Sequence, residues 1–423
     1  MKPILLLSLV AGGCAGSAAS ARLAAEFDPA LARGDVPSAV AAYERARARD
    51  DLRLRRAAEV VVFRALYATD AEVRERAVRI AVEVADPALD RPLAERLDDE
   101  SPRIRARAAV ALAPQLEIAR ARLEAILDGK DASARAIAVD GLGSLENPAQ
   151  RIAKLCDDAS PEVRARAASA LAPIDRALAR ELAARLAHDP DAGVRAAAVA
   201  ALGALGDRGA VAELEAALGD GALGVRLAAL AGLTRLDGEP ARLELVASRD
   251  DRFVALRAAV ALAHRGRVNV ALETITRAAA DRRADARAAA MNAAGELGEP
   301  AAALISRGLR DPDLEVRLAA ARALIAAGHA AQARPVLVGA LDTPYALDAA
   351  DELARIGDPL GQNRLHAAAA SPDAATRRAA LALIAPLPGA LPSLTHGLAD
   401  ADPLARLTCA ESLLRRAFRP YLR

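Results

Sequence analysis

The sequence has no tryptophan, and only four tyrosines and four phenylalanines among its 423 residues. Aromatic platforms on which single-stranded nucleic acid would stack are therefore nearly excluded. Lysine is as scarce: Lys2, Lys130 and Lys154 are the only lysines among 57 basic residues, and the rest are arginine. No polybasic block occurs, and 56 acids leave a net charge of +1. Neither a nucleic-acid arm nor a basic membrane-surface tract is present. Disorder is excluded as well, because it needs low hydrophobicity and high net charge, whereas 53% of this chain is hydrophobic. The chain is also longer than the ~250–300 residues at which a single core stops growing. Alanine fills the space that aromatics leave, and the expectation is an alanine-rich helical protein.

The first residues stand apart. Met1-Lys2-Pro3 is a short basic start, and Ile4 to Ala11 is an apolar run. Such a run is too short for a bilayer, which takes about 20 residues, but suits a signal-peptide core. It leads into Val10-Ala11-Gly12-Gly13-Cys14, which resembles the lipobox of bacterial lipoproteins, with Ala11 where that family most often has leucine. The resemblance implies a signal peptide over 1–13, lipidation of Cys14 and a membrane anchor by acyl chains. Ala15, with no aspartate after the cysteine, implies an outer-membrane lipoprotein facing the periplasm. Cleavage after Ala15 or Ala19 instead would give a secreted protein. Residues 14–25 read as a tether.

A period of about thirty residues organises most of the remaining chain. Arginines stand at Arg74, Arg105, Arg135, Arg164, Arg195, Arg226, Arg257, Arg287 and Arg317, and resume at Arg377 and Arg406 after Asp348 takes one turn of the register. Neighbours are 29–31 residues apart, which makes twelve units. Six residues before an arginine an acid recurs: Asp99, Asp158, Asp189, Asp220, Asp251, Asp281, Asp311 and Asp400; Asp128 precedes Arg135 by seven. Within a unit, Val194, Ala197, Ala198, Ala201, Leu202 and Leu205 recur at helical spacing. Gly206, Gly238, Gly298, Gly328 and Gly357 stop such helices. A second helix comes next, and Asp-Pro or Ser-Pro pairs such as Asp189-Pro190 open the next unit. A helix-turn-helix of this size buries its apolar faces only by stacking on its neighbours.

The motif Val-Arg-x-x-Ala-Ala and its recurrence over residues 70–415 resemble the HEAT-repeat family, in the short form also found in phycobilin lyase subunits. The resemblance implies an all-α, right-handed α-solenoid of about twelve helix-turn-helix repeats. It also implies that the recurrent acids and arginines form a structural ladder between repeats. Residues 26–69 leave the register. Gly34-Asp35 with Ala39, Tyr43 and Ala46 looks like the second half of a tetratricopeptide repeat, and Leu52–Leu66 reads as a further apolar helix. Together they are expected to cap one end of the array, with residues 416–423, including Phe418 and Tyr421, closing the other. Cys156 and Cys409 fall about eight repeats apart, too far for a disulfide, which needs Cα atoms within about 7 Å. They read as small buried hydrophobes.

No catalytic constellation emerges. Gly219-Asp220-Gly221-Ala222-Leu223-Gly224 satisfies G-x-G-x-x-G, but helices flank it where a dinucleotide fingerprint needs a strand. There is no G-x-S-x-G, C-x-x-C or H-E-x-x-H, and the five histidines are scattered over separate repeats. No cofactor or metal is implied. Second helices carry both charge signs, as in Arg151 with Lys154, Glu213 with Glu215, and Glu273 with Arg277, so no cationic stripe for nucleic acid is expected. Tyr345 and Asp348 are candidate partner contacts, and Asp348 is also expected to continue the ladder by pairing with Arg377 or Arg317. The functional expectation is a non-catalytic, membrane-anchored interaction scaffold for an envelope protein or peptide. The alternative is an enzyme or lyase-like accessory protein that binds a small ligand in the solenoid groove.

Overall fold

The computed structural model describes residues 18–46, 50–171, 175–236, 240–248 and 252–418. Cys14, the expected signal peptide, Gly238, Asp251 and Tyr421 lie outside the described residues. Within them the chain forms twenty-six α-helices with short 3-10 turns and no strand. It is an α-solenoid.

Local sequence explains the helix boundaries. An aspartate two places after the position of the ladder acid caps the first helix of several repeats. Asp191 accepts from the Val194 amide (3.0 Å), Asp313 from Glu315 (2.8 Å) and Asp373 from Thr376 (2.7 Å). Each carboxylate satisfies an amide that the helix leaves unpaired. At the other end, Gly206 closes helix Ala192–Leu205 at φ +68°, a left-handed conformation that suits a residue without a side chain.

The chain divides into two compact units. One comprises residues 109–356. Here first helices such as Ala192–Leu205, Leu223–Arg235 and Ala284–Leu297 stack in succession, with second helices such as Arg176–Leu186 and Val268–Ala279 alongside. The core between them is mostly alanine with leucine and valine, as in Leu256, Ala259, Ala290, Ala294, Leu324 and Leu337. Small side chains bring backbones close, and most of the packing comes from short apolar contacts at high density. Helices Ala192–Leu205 and Leu223–Arg235 meet at Gly203 and Gly232, where a methyl on Gly203 would come within 2.5 Å of the Gly232 Cα.

The other unit joins residues 1–108 with 357–423. Helices Ala18–Ala32 and Val36–Ala46 form an antiparallel pair around the Gly34 turn, with the rings of Phe27 and Tyr43 6.4 Å apart. The expected tether is corrected here. Residues 18–25 are helical, because Leu23 and Phe27 are both buried and hold that turn to the core. A second difference is larger. Residues 416–423 are expected to close the far end of the array, yet helix Pro403–Phe418, which leads into them, packs along helices Asp51–Ala65 and Ala71–Val84. Arg76 pairs with Glu411, Arg415 with Glu83, and His396 Nδ1 lies 3.2 Å from Glu44. The helical segments at the two ends of the chain thus share one core.

Candidate interaction surface

The recurrent arginines make one repeated arrangement. In unit 109–356, Arg164 donates from Nε and Nη2 to both oxygens of Asp189, at 2.8 and 2.9 Å. Its Nη1 turns back to the carbonyls of Asp158 and Ala159, at 2.9 and 3.2 Å. Asp189 in turn accepts the amide of Asp191 at 2.9 Å, so one carboxylate binds the neighbouring repeat and its own turn at once. Arg135–Asp158, Arg195–Asp220 and Arg287–Asp311 repeat this geometry, as do Arg74–Asp99 and Arg377–Asp400 in the other unit. Bidentate, charge-assisted pairs of this kind fix orientation as well as contributing energy. The Asp189 carboxyl is held below the ordinary carboxylate range first by Arg164 and then by the backbone amide, with burial opposing.

Several residues depart from that pattern. Arg257 pairs with Glu296 at 2.5 Å, and Asp281 instead accepts from Arg252 at 2.6 Å. Arg105 and Arg317 keep the Nη1 contacts to carbonyls six and five residues earlier. Arg226 does the same with Asp220 and Gly221, and has a further contact besides. Asp128 is held by Arg151 (3.1 Å) and Lys154 (2.8 Å). The expected pairing of Asp348 is corrected: its carboxylate faces Arg322 at 3.9 Å, and Arg322 also reaches Glu352 at 3.4 Å. Asp348 stands on the exposed side of helix Ala346–Arg355, with its side chain 60% exposed, so it meets a first-helix arginine one turn beyond the ladder. Tyr345 packs its ring against the core and donates its hydroxyl to Glu315. That bond raises the tyrosine's pKa.

These ladder residues hold repeats together and leave the second helices as the surface. Their charges are largely neutralised between consecutive repeats: Arg180 holds Asp207 and Glu213, Arg185 holds Asp157, and Arg267 holds Glu244. Helix Val268–Ala279 is the most informative. Ala271, Thr274 and Ile275 are buried, and Asn269, Leu272, Glu273, Thr276 and Arg277 form the opposite face around a shallow depression of about 480 Å³. Leu245, on the neighbouring second helix Pro240–Ala247, is 58% exposed. Sequence reasoning missed Leu245 and Leu272. The signal was available, since Leu245 falls between the buried Leu243 and Val246 and off their helical stripe.

Chemistry-bearing groups do not converge. Among the described residues no three His, Cys, Asp or Glu side chains form a group able to hold a metal ion. His329 lies 2.8 Å from Glu299, and His366 2.8 Å from the Ser393 hydroxyl, in separate places. Cys156 and Cys409 are buried and free. Burial pushes their thiols up to about 11 and about 12. In the Gly219–Gly224 segment, Asp220 is the partner of Arg195, and residues from Leu223 onward are helical. No helix among the described residues is long and apolar enough to cross a membrane.

Comparison with known proteins bears on the repeat. Residues 179–263 match the family model of HEAT repeats. That segment carries HEAT repeats. The matched segment spans helix Arg176–Leu186 to helix Arg252–Ala263, where the ladder and the Gly203–Gly232 contact are found. Among solved structures the chain is similar to the Escherichia coli YibA protein, with 20% identity, 59% of this chain and 97% of that chain covered, and a TM-score of 0.39. It is also similar to an engineered protein (20% identity, 84% and 98% covered, TM-score 0.26) and to importin beta (14% identity, 84% and 55% covered, TM-score 0.40). No curated protein matches the sequence.

Proposed function

We propose that the protein is a non-catalytic interaction scaffold of the bacterial envelope. In this reading it binds a protein or peptide along the second helices of residues 109–356 and is anchored by lipid on Cys14. The observation that carries the binding role is the face of helix Val268–Ala279. It carries the half-buried Leu272, which also packs against the core, among polar side chains and beside the exposed Leu245 on the next second helix. Repeat proteins use such extended rows of helices as binding surfaces. Isolated apolar anchors within a polar, self-neutralised field suit a protein partner better than a polyanion, which would ask for unpaired cations. The Val-Arg-x-x-Ala-Ala form of the repeats supports the short type also found in phycobilin lyase subunits. The Val10–Cys14 segment supports the anchor.

The test is crosslinking in the native envelope from photoreactive residues placed at Leu245 and Leu272. Recovery of one stoichiometric protein partner, lost in a Leu245→Asp/Leu272→Asp variant, is the expected result. Crosslinks only to scattered abundant proteins, unchanged by that variant, count against the surface. Fractionation of a Cys14→Ser variant tests the anchor separately, and retention in the membrane fraction counts against it.

A further inference from the structure

The ladder lacks its acid at Ala68, Gly129 and Ser371, and of these Ala68 lines the cavity described below. Arg74 turns its Nη1 to the carbonyls of Ala68 (2.9 Å) and Thr69 (2.8 Å). Arg406 does the same with Asp400 (2.6 Å) and Ala401 (3.0 Å). Residue 68 therefore occupies the site at which Asp99, Asp158, Asp189, Asp220, Asp311 and Asp400 each receive an arginine fork from the preceding repeat. Here it is alanine.

The arginine that would use such an acid is Arg406, the last of the series. Its helix runs beside helix Ala71–Val84, tied by Arg76–Glu411 and Arg415–Glu83. Ala68 and Arg406 line the same cavity, of about 410 Å³, within the unit formed by residues 1–108 and 357–423. Among the described residues the Nε and Nη2 of Arg406 meet no carboxylate, and the guanidinium is held by the two bonds from Nη1. Val36, Val61, Ala65, Val73 and Pro403 make the rest of the wall mostly apolar, and Arg64 is the other cation on it. The guanidinium of Arg64 lies over Gly34, where an added methyl would come within 2.8 Å of Nε. The nearby acids are engaged by other groups: Asp35, on which the Arg64 charge also acts, accepts from the Ser38 amide at 3.1 Å. Asp70 accepts from the amides of Glu72 and Val73, Asp400 from Arg377, and Asp402 from the amide of Ala405. Arg105 and Arg317 also lack a carboxylate on Nε and Nη2, but neither lines this cavity.

We propose that this cavity binds a small apolar carboxylic acid, whose carboxylate takes the place on Arg406 that an aspartate takes on the other ladder arginines. The apolar body lies against Val36, Val61, Val73 and Pro403, and Arg64 adds a second positive charge. The volume is that of a small-molecule site, ~300–1,000 Å³. A planar fork already fixed by its Nη1 bonds loses little freedom when a carboxylate arrives. The second-helix face and this cavity belong to different units, so binding here does not depend on the scaffold role.

Octanoate titrated into the full chain by calorimetry tests it. The expected result is saturable binding that weakens at least tenfold in Arg406→Ala and in Ala68→Asp. Arg317→Ala, which removes an arginine anchored the same way elsewhere, should bind as the wild type does. Ala68→Asp restores the ladder acid, so it should melt at or above the wild-type temperature while losing octanoate; this keeps the test sound if Arg406→Ala fails to fold. Absence of saturable binding, equal affinity in Ala68→Asp, or equal affinity for octanol would overturn the proposal. Tenfold tighter binding of a short Asp-Pro peptide than of octanoate would overturn it in favour of a partner's aspartate.

Discussion

Gly203 and Gly232 touch across the seam between two first helices, so closely that a methyl on Gly203 would stand 2.5 Å from the Gly232 Cα. The neighbour is backbone and has no rotamer by which to yield. Gly203→Ala should therefore destabilise the protein by about 2 kcal/mol through overpacking. This outweighs the ~1 kcal/mol that alanine gains over glycine in a helix. Gly339, in helix Ala330–Ala340, has nothing within 4 Å of an added methyl, and Gly339→Ala should raise the melting temperature slightly. Thermal melts of the two variants should move in opposite directions.

Arg74 and Asp99 form the most buried rung of the ladder, with side chains 5% and 2% exposed. Removing one partner leaves the other charge buried, so Arg74→Ala should cost about 3 kcal/mol. Arg74→Lys should recover only part of that, since an ammonium lacks the two-pronged geometry. Burial alone would raise the Asp99 carboxyl, but the bonds from Arg74 and the Ser101 amide hold it below its ordinary value. The rung's contribution is thus complete above the unfolded carboxylate pKa, near ~3.9. It is lost as pH falls through the lower folded value. Between pH 5 and pH 2 the wild type should lose more stability than Arg74→Ala.

Glu59 has the opposite sign. It shares the Arg55 guanidinium with Asp86, at 2.8 and 2.7 Å. Burial, with the Asp86 charge beside it, pushes its pKa up to about 7. A raised carboxyl binds its proton more tightly folded than unfolded, so stability falls as pH rises from about 4.5 to about 7. Glu59→Gln, which cannot ionise, should be more stable than the wild type at pH 8, by on the order of 2 kcal/mol. At pH 4 the two should melt together. An advantage that persists at pH 4 would assign the effect to packing.

Asp348 is weakly held, with Arg322 at 3.9 Å and already engaged by Glu352. Asp348→Ala should change stability by less than about 0.5 kcal/mol, as exposed pairs generally do. A cost above ~1.5 kcal/mol in a chemical denaturation curve would give it a structural role that this geometry does not support.

Much of this architecture is legible in the sequence, because a repeat writes its contacts many times over. The period of the arginines marks helix starts, caps and repeat length, and the HEAT-repeat match falls within it. Register is less legible. Arg252 and Arg257 lie about a turn and a half apart on one helix, and spacing alone does not tell that Asp281 meets the first and Glu296 the second. Helix Pro403–Phe418 against helix Ala71–Val84 is less legible still, since Arg76 and Glu411 are 335 residues apart and carry no mark of each other. The cavity depends on that packing. Ala68 is one more alanine in the sequence, and it becomes conspicuous only when Arg406 is found beside it.

The sharing of one core by the two ends of the chain has a consequence for how the protein is made. Residues 109–356 pack mainly against near neighbours in sequence and are able to assemble while synthesis continues. Helices Asp51–Ala65 and Ala71–Val84 emerge well before their partner Pro403–Phe418, since Arg76 and Glu411 are 335 residues apart. Until then the faces that Pro403–Phe418 covers stay exposed, a stage at which chaperones or aggregation compete for them. Loss of the sixteen-residue helix Pro403–Phe418 to a premature stop should therefore be felt first at helices Asp51–Ala65 and Ala71–Val84.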